Sequence, residues 1–390
     1  MAVVAISRAS AYEAKTLASS LERGLSLLGD LDSLFRGKVK VFIKVNLLSP
    51  FAPVEKAIFT HPYFVREVVK FLKNWNVSIV VGDDVSLRQG DAFASSGYRA
   101  ALTDCGVVLS SLKEKGFREI TVKGEIMDRI HYSQEALEAD CLLNLPKLKT
   151  HSFTIYTGAI KNMFGLIPHG LRLRCHREHI WSEVFSNALV DIFSVRPPDL
   201  NIMDSVVAME GEGPSSGNPR QVGLILASRD ATALDAIAGK IIGLAAERVF
   251  TTRHAHRRGL GSGKVEEVQI KGELLADVLI PNFKLSAVAV SLFRRHWPSF
   301  LYAYFQEKLA FLPRIKRDSC TGCGDCQQAC PTEAIKMLDG RVWINPEKCI
   351  HCLCCHEVCR FKSVHLGQQP LGRLIRAAAG LWQRTRTLVS

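Results

Sequence analysis

The stretch Cys320-Thr321-Gly322-Cys323-Gly324-Asp325-Cys326-Gln327-Gln328-Ala329-Cys330-Pro331 returns 29 positions later as Cys349-Ile350-His351-Cys352-Leu353-Cys354-Cys355-His356-Glu357-Val358-Cys359-Arg360. Each copy spaces its cysteines as C-x2-C-x2-C-x3-C. The repeat extends beyond the thiols, because Ile315 matches Ile344, Asp318 matches Glu347 and Ile335 matches Val364. Structural zinc also takes four thiolates, but its cysteine pairs are separated by longer stretches. A run of four thiols at such short steps suits a cubane iron-sulfur cluster, since a tight loop presents three thiolates at once and the fourth reaches a second cluster. A disulfide framework is excluded on size, because the rest of the chain is ordinary globular sequence that needs no staples.

These residues resemble bacterial-type ferredoxins that carry two [4Fe-4S] clusters. The resemblance implies that Cys320, Cys323, Cys326 and Cys359 hold one cluster, and Cys349, Cys352, Cys355 and Cys330 the other. Two positions depart from the pattern. Arg360 stands where the first copy has Pro331, placing a positive charge beside a cluster. Cys354 is an extra thiol, read as a small apolar residue of the loop.

The chain has 390 residues, 47% of them hydrophobic, and a formal net charge of +12. That is enough for one large core and a small module. Two oxidised clusters with their thiolates contribute about −2 each, so the loaded protein carries roughly +8. The balance favours an anionic small-molecule substrate, an acidic redox partner or a membrane surface. No zinc finger, recognition helix or aromatic-basic stripe points to nucleic acid. Met1 to Ser10 contains only the apolar run Val3 to Ile6 and no charged region ahead of it, so the expected location is the reducing cytoplasm, where clusters are assembled and kept.

From residue 1 to 283, apolar β-rich runs alternate with helical stretches. Strands are expected at Val39 to Val45, Ser78 to Gly82, Cys141 to Leu145, Leu200 to Met203 and Val222 to Ala227, and helices at Pro62 to Trp75, Gln89 to Cys105 and Thr232 to Ile242. The alternation predicts an α/β domain with a largely parallel sheet. Residues 284–313 are read as a helical linker, 314–367 as the iron-sulfur module, and 368–390 as a tail. In that tail Arg373, Arg376, Arg384 and Arg386 accompany Leu371, Leu374, Ile375, Ala378, Leu381 and Trp382 at helical spacing. Such a basic amphipathic helix packs on the module or makes a peripheral contact with an anionic membrane at the cytoplasmic face.

Function in such a sheet lies in the loops after the strands. Those loops carry Lys44-Val45-Asn46, Gly82-Asp83-Asp84 and Pro146-Lys147-Leu148-Lys149-Thr150-His151. The last continues through Thr154, Thr157 and Gly158 to Lys161-Asn162-Met163-Phe164-Gly165, and Asp204, Glu210-Gly211-Glu212-Gly213-Pro214, Asp230 and Asp235 follow. The set resembles the uncharacterised domain family numbered 362 (DUF362), often fused to ferredoxin modules, over about residues 40–245. The Pro-Lys-x-Lys-Thr-His and Lys-Asn-Met-Phe-Gly motifs carry that resemblance, which implies a family without implying a reaction.

The chemistry is therefore argued from residue types. Asp83, His151, Lys161 and Glu210 are the candidate catalytic residues, and Lys44, Asn46, Lys147 and Lys149 the candidate cofactor-binding set, because lysines and Gly-rich turns neutralise phosphate or carboxylate groups. Asp83 with Asp84, or Glu210 with Glu212, also suits a hard cation. A more distant resemblance is to the nickel-pincer lactate racemase family, in which a histidine precedes by ten residues a lysine that tethers a nickel cofactor. His151 precedes Lys161 by ten, and the resemblance would make His176 or His179 a nickel ligand, although Ala159-Ile160 stands where that family is Gly-rich. The basic stretch His169 to His179 reads either as an anion-binding lid or as a solvated loop.

Two function classes follow. In one, the clusters pass electrons to a substrate or further cofactor in the α/β domain. In the other, the chain is a non-catalytic electron-transfer or maturation partner. No Gly-x-Gly-x-x-Gly opens the chain, so electrons are expected from an external donor or acceptor.

Overall fold

The computed structural model describes residues 1–37, 40–84, 90–286, 311–338 and 340–368. Strand β1 (Ala2–Arg8) leads to helix α1 (Ala14–Ser26), then β2 (Lys40–Val45), α2 (Pro62–Leu72), β3 (Ser78–Asp83) and β4 (Val108–Ser111). After the hairpin β5 (Phe117–Thr121) and β6 (Arg129–Ser133) come β7 (Cys141–Leu145), β8 (Lys147–His151) and β9 (Ile155–Thr157). The chain continues through the helices α3 (Ala159–Asn162), α4 (His169–Glu178) and α5 (Ser182–Val195) to the long strands β10 (Leu200–Glu210) and β11 (Asn218–Ser228). Helices α6 (Ala231–Ile241) and α7 (Phe250–Arg257) and strand β12 (Val268–Gly272) complete the domain.

The main sheet runs β12-β1-β11-β10-β7-β2-β3-β4, with β8 and β9 added beside β10. Pairs β2·β3, β2·β7, β3·β4, β7·β10 and β1·β12 are parallel, whereas β11 runs antiparallel to both β1 and β10. Alternation along β2 shows why both faces need cover. Phe42 packs with Leu142, Leu189 and Leu234 on one side. Val41, Ile43 and Val45 pack with Leu17, Leu21, Phe64 and Val68 of α1 and α2 on the other. The expected α/β class with a largely parallel sheet is what the chain forms.

Some expectations needed correction. The run Lys147 to His151, read as a loop, is strand β8, because Asp204 donates its backbone N–H to Pro146 and β9 closes the far side. The apolar run near the N-terminus is strand β1. The helix expected over Gln89–Cys105 is broken in its described part into turns at Ala92–Ser95 and Tyr98–Ala101, since Gly97 sits at φ +81°, outside helical space. Residues 287–310 of the expected linker and 369–390 of the tail lie outside the described residues, and Phe311 to Pro313 open a strand instead.

That strand, β13 (Phe311–Ile315), pairs with β16 (Val364–Gln368). Between them lie α8 (Asp325–Gln328), the hairpin β14 (Ile335–Leu338) and β15 (Arg341–Ile344), and α9 (Cys354–Val358). The duplication is visible in the backbone. Gly322 and His351, Gly324 and Leu353, and Glu333 and Lys362 form three matched pairs 29 positions apart, each with positive φ. A non-glycine residue pays for the left-handed region, so the second copy holds its shape against a local cost. The module's buried residues include Cys326, Ile335, Cys355 and Val364, so thiols make up part of its small core.

Candidate functional site

Strand β8 carries Lys147, Lys149 and His151 at alternate positions, which on a strand means one side and steps of about 6.6 Å. All three are at most 2% exposed. Lys147, innermost, gives its Nζ to Asp204 Oδ2 at 2.8 Å and to the Tyr12 hydroxyl at 2.7 Å. Lys149 donates to Asn46 Oδ1 at 3.0 Å and to the Ile58 carbonyl at 2.6 Å. His151 Nδ1 accepts the backbone N–H groups of Phe153 and Thr154 at 3.1 and 3.2 Å. That assigns its proton to Nε2, which faces Glu357 Oε1 of the iron-sulfur module at 3.6 Å.

The module docks here. Ser215 Oγ donates to the Glu357 carbonyl, Ser216 Oγ to the Cys359 carbonyl at 3.3 Å, Lys56 Nζ to the Arg360 carbonyl at 2.6 Å, and Lys362 Nζ to Asn218 Oδ1 at 2.8 Å. Between module and sheet remains a cavity of about 210 Å³. The α/β domain contributes Lys44, Asn46, Asp83, Asp84, Lys149, His151, Thr157 and Lys161 to its wall, and α8 and α9 contribute Asp325, Gln328, Cys354, Glu357 and Val358.

Helix α4 supplies a third wall through His169, Arg172, Leu173 and His176, a spacing that puts all four on one face. The basic stretch is thus a helix lining a cavity. Arg172 Nη2 donates to Asp84 Oδ2 at 2.6 Å. His176 is packed among Phe153, Phe164 and Phe185, with ring centroids 4.4 to 6.0 Å away, and its Nδ1 has no hydrogen-bond partner. His179 is not among the lining residues, so the two histidines do not act as a pair.

The floor is a chain of amides. Asn46 Nδ2 donates to Asn162 Oδ1 at 3.1 Å, Asn162 Nδ2 to Asn144 Oδ1 at 2.7 Å, and Asn144 Nδ2 to Asn201 Oδ1 at 2.9 Å. Such a satisfied network fixes the start of the Lys-Asn-Met-Phe-Gly motif. The turn of α3 that carries Lys161 is anchored at its front by Asp235, which accepts the N–H groups of Ala159 and Ile160 at 2.6 and 3.0 Å. Burial raises the Asp235 carboxyl to about 7, against those same hydrogen bonds. Gly165 ends the motif because a Cβ there would stand 2.5 Å from Asp83 Oδ1 and 2.8 Å from Lys44 Nζ. Only glycine lets the chain cross that ion pair.

The electrostatics are those of cations taken out of water. Lys44 pairs with Asp83 at 2.9 Å, and Asp83 also accepts the N–H groups of Leu47 and Asp84, each at 2.8 Å, so its carboxylate is fully engaged. Burial lowers the Lys44 ammonium while Asp83 opposes it. Lys149 is pushed well below the ordinary lysine value by burial and then by the charge of Lys161. Lys161 is lowered by burial, with Glu357 opposing and Arg172 and Lys44 reinforcing. His151 is driven down by burial, then by Lys161 and Lys149. Of the eight candidate residues, Lys44, Asn46, Asp83, Lys149, His151 and Lys161 meet at the cavity. Lys147 and Glu210 do not; Glu210 instead accepts the backbone N–H of Lys284 at 3.1 Å. Glu357 was missed by sequence reasoning, which saw only the thiols on either side of it.

The module's thiols lie close enough to act on one another. Cys323, Cys359 and Cys320 act electrostatically on Cys326, while Cys352, Cys326, Cys349 and Cys330 act on Cys355. Cys330 Sγ accepts the Ala334 N–H at 3.2 Å and Cys359 Sγ the Ser363 N–H at 3.3 Å, at matched positions of the repeat. Hydrogen bonds to thiolate sulfur are one lever by which a protein sets cluster potential.

Comparison with known proteins adds the family. The model described as a domain of unknown function (DUF362) matches residues 41–240. The chain belongs to the DUF362 family. A 4Fe-4S dicluster domain matches residues 312–360, joining a ferredoxin-like iron-sulfur domain for electron transfer to the DUF362 domain. The Thylakoid-associated protein sll1697 of Synechocystis is 30% identical over 310 residues, covering 76% of this DUF362 chain and 95% of that protein. Ferredoxin-1 of Rhodobacter capsulatus is 44% identical over 39 residues, which are 10% of this chain and 60% of the ferredoxin. Among solved structures, the lactate racemase apoprotein of Thermoanaerobacterium thermosaccharolyticum is similar with a TM-score of 0.40 and 16% identity, covering 58% of this chain and 54% of that one. Among the described residues no helix is long and apolar enough to cross a membrane.

One consequence of the site is open to titration. Burial, with help from Lys161 and Arg172, holds His176 down at about 3. The unfolded chain takes up this proton near pH 6.5 and the folded chain does not, so stability is lost as pH falls from 6.5 toward 3. Between pH 7 and 5.5 the wild type should lose roughly 1 kcal/mol relative to His176→Gln, which has no such group. Anaerobic urea unfolding at the two pH values measures the difference, and a constant difference would remove the assignment.

Proposed function

We propose that this protein is an iron-sulfur redox protein in which electrons pass between the ferredoxin-like module and a small molecule bound in the cavity between module and sheet. The observation that carries the reading is the shared wall. Helices α8 and α9 each contain module cysteines and also line the cavity, with Cys354 and Glu357 on one side and Lys149, His151 and Lys161 on the other. Cys320, Cys323, Cys326 and Cys359 would hold one [4Fe-4S] cluster, and Cys349, Cys352, Cys355 and Cys330 the second. The clusters supply one-electron transfer.

Within the cavity the residues divide the work. Lys161 and Lys149 attract and hold the bound molecule. His151, with its proton on Nε2, is the group placed to donate it. Asp83 holds Lys44, and Asn46 holds Lys149. Glu210 and Lys147 support strands rather than touch the molecule. The module's surface then serves an external donor or acceptor, and the basic tail a membrane contact at the cytoplasmic face.

The test is reoxidation of the chemically reduced, anaerobic protein by a panel of small organic acceptors. One or more should reoxidise the wild type at least tenfold faster than Lys161→Met at equal iron and sulfide content. Equal rates for every acceptor would favour a non-catalytic electron-transfer partner and overturn the cavity's role.

A further inference from the structure

The cavity wall contains more positive than negative charge once its internal pairs are counted. Lys44 is matched by Asp83, Arg172 by Asp84 at 2.6 Å, and Arg360 by Asp325 at 3.9 Å. Lys149 and Lys161 are left, and among the described residues neither has a carboxylate within ion-pair distance. Glu357 is the one remaining acid of the wall. A buried ammonium without an ion-pair partner is costly, and an anion in the cavity would offset that cost.

Lys161 is the centre of such a site. Lys44, Lys149, His151, Arg172 and His176 line the same cavity, with Glu357 the foremost charge acting on Lys161. Its ammonium lies 4.8 Å from the Phe164 ring centroid, a contact that leaves its donors available. Further groups of the wall have buried polar atoms without hydrogen-bond partners. Among them are the acceptors Asp84 Oδ1 and Glu357 Oε1, and two that can donate, Thr157 Oγ1, on a residue 3% exposed, and His176 Nδ1, on a residue 5% exposed. An ammonium, a hydroxyl and an imidazole lining one small space form a built receptor for an oxyanion.

The remaining wall is of another kind. Leu48, Pro50, Phe51, Leu173 and Val358 also line the cavity. An inorganic oxyanion would leave that surface facing water, whereas a carboxylate with an apolar body covers it. The volume of about 210 Å³ lies below the roughly 300–1,000 Å³ of sites for drug-sized ligands. The occupant is therefore compact.

We infer that the cavity binds a compact organic monocarboxylate, its charged end at Lys161, Thr157 and His176 and its apolar body against Phe51, Leu173 and Val358. The inference rests on the proposed role of the cavity and names the chemical class of its occupant. No bond is made or broken in this binding step.

Benzoate is a suitable probe, with benzyl alcohol and inorganic phosphate as controls, titrated calorimetrically into the oxidised, anaerobic full-length protein. Benzoate should bind, and benzyl alcohol and phosphate should each bind at least tenfold more weakly. Lys161→Met should lower benzoate affinity at least tenfold and Lys161→Arg should recover part of it. Removing an unmatched charge should not lower the melting temperature, and an unchanged melt with unchanged iron excludes misfolding as the cause. Phosphate binding as tight as benzoate would overturn the organic class, and equal benzoate affinity in Lys161→Met would overturn the site. Absence of benzoate binding to protein with intact iron would overturn the inference while leaving the redox reading standing. Loss of iron and sulfide from the wild type would instead strike that reading.

Discussion

With Cys359 changed to Ala, about four of an expected eight or so irons should remain, and the four lost should be those of the first cysteine run rather than the second. The proposed crossed ligand set requires this. Cys359 belongs to the second run by sequence, but it acts on Cys326 together with Cys320 and Cys323. Its sulfur accepts the Ser363 N–H at 3.3 Å. Cys330→Ala should produce the mirror result. Cys354→Ala should keep all the iron, because Cys354, which lines the cavity and also lies beside Cys352, stands outside the repeated C-x2-C-x2-C-x3-C spacing. The effect on the module should be large as well as selective. Its buried apolar residues form three small clusters, one with Ile335 and Val364, one with Phe311 and Leu353 and one with Ala329 and Cys354, too small to hold a domain of this length without help. Clusters bound only by the folded form contribute their binding energy to folding. Chelation of all the iron should therefore unfold the module and release Ser215, Ser216 and Lys56 from it. Iron and sulfide analysis, with the spectroscopic signature of the surviving cluster, decides the matter. Iron unchanged in Cys359→Ala would reject the crossed set.

What the sequence disclosed followed from how local each signal is. The cysteine runs are readable because a cluster's ligands lie within a dozen residues, and the matched positive-φ pairs show the same repeat in the backbone. Strands β2, β3 and β7 were readable because burial on both faces leaves continuous apolar runs. Strand β8 was not, since its alternation of Lys147, Lys149 and His151 with Leu148 and Thr150 resembles a polar loop. What buries those side chains is Asn46, Ile58 and Asp204, remote in sequence and joined only by the sheet. Glu357 was hidden for a similar reason, because its place opposite His151 exists only when the module docks on Ser215 and Ser216. Helix α4 did carry a usable signal. His169, Arg172, Leu173 and His176 recur at the spacing of one helical face, yet its many charges fitted an anion-binding lid and a solvated loop equally.

Asp204→Ala should cost about 3–5 kcal/mol of stability at pH 7, the usual result of breaking a buried ion pair by removing one partner. The carboxylate is completely buried and receives Lys147 Nζ at 2.8 Å, the Tyr12 hydroxyl at 2.8 Å and the His61 backbone N–H at 2.9 Å. Its removal leaves an ammonium without its counter-charge and the His61 N–H without its acceptor in a place water does not reach. Lys147 is already lowered by burial, and Asp204 is what opposes that shift. In the variant the lysine's pKa falls further, so between that value and the unfolded lysine value stability rises with pH, and the loss should be smaller at pH 9 than at pH 7. Asp204→Ala with Lys147→Met should recover much of the loss, because the second change removes the stranded charge and keeps an unbranched chain in the same space. Anaerobic urea unfolding of the three variants measures each quantity. Lys147 begins the strand whose next inward-facing residues are Lys149 and His151, so the single variant should also weaken binding in the cavity without touching it. A loss below 1 kcal/mol, or no recovery in the double variant, would mean that β8 is held by its neighbours in the sheet and that this buried pair is dispensable.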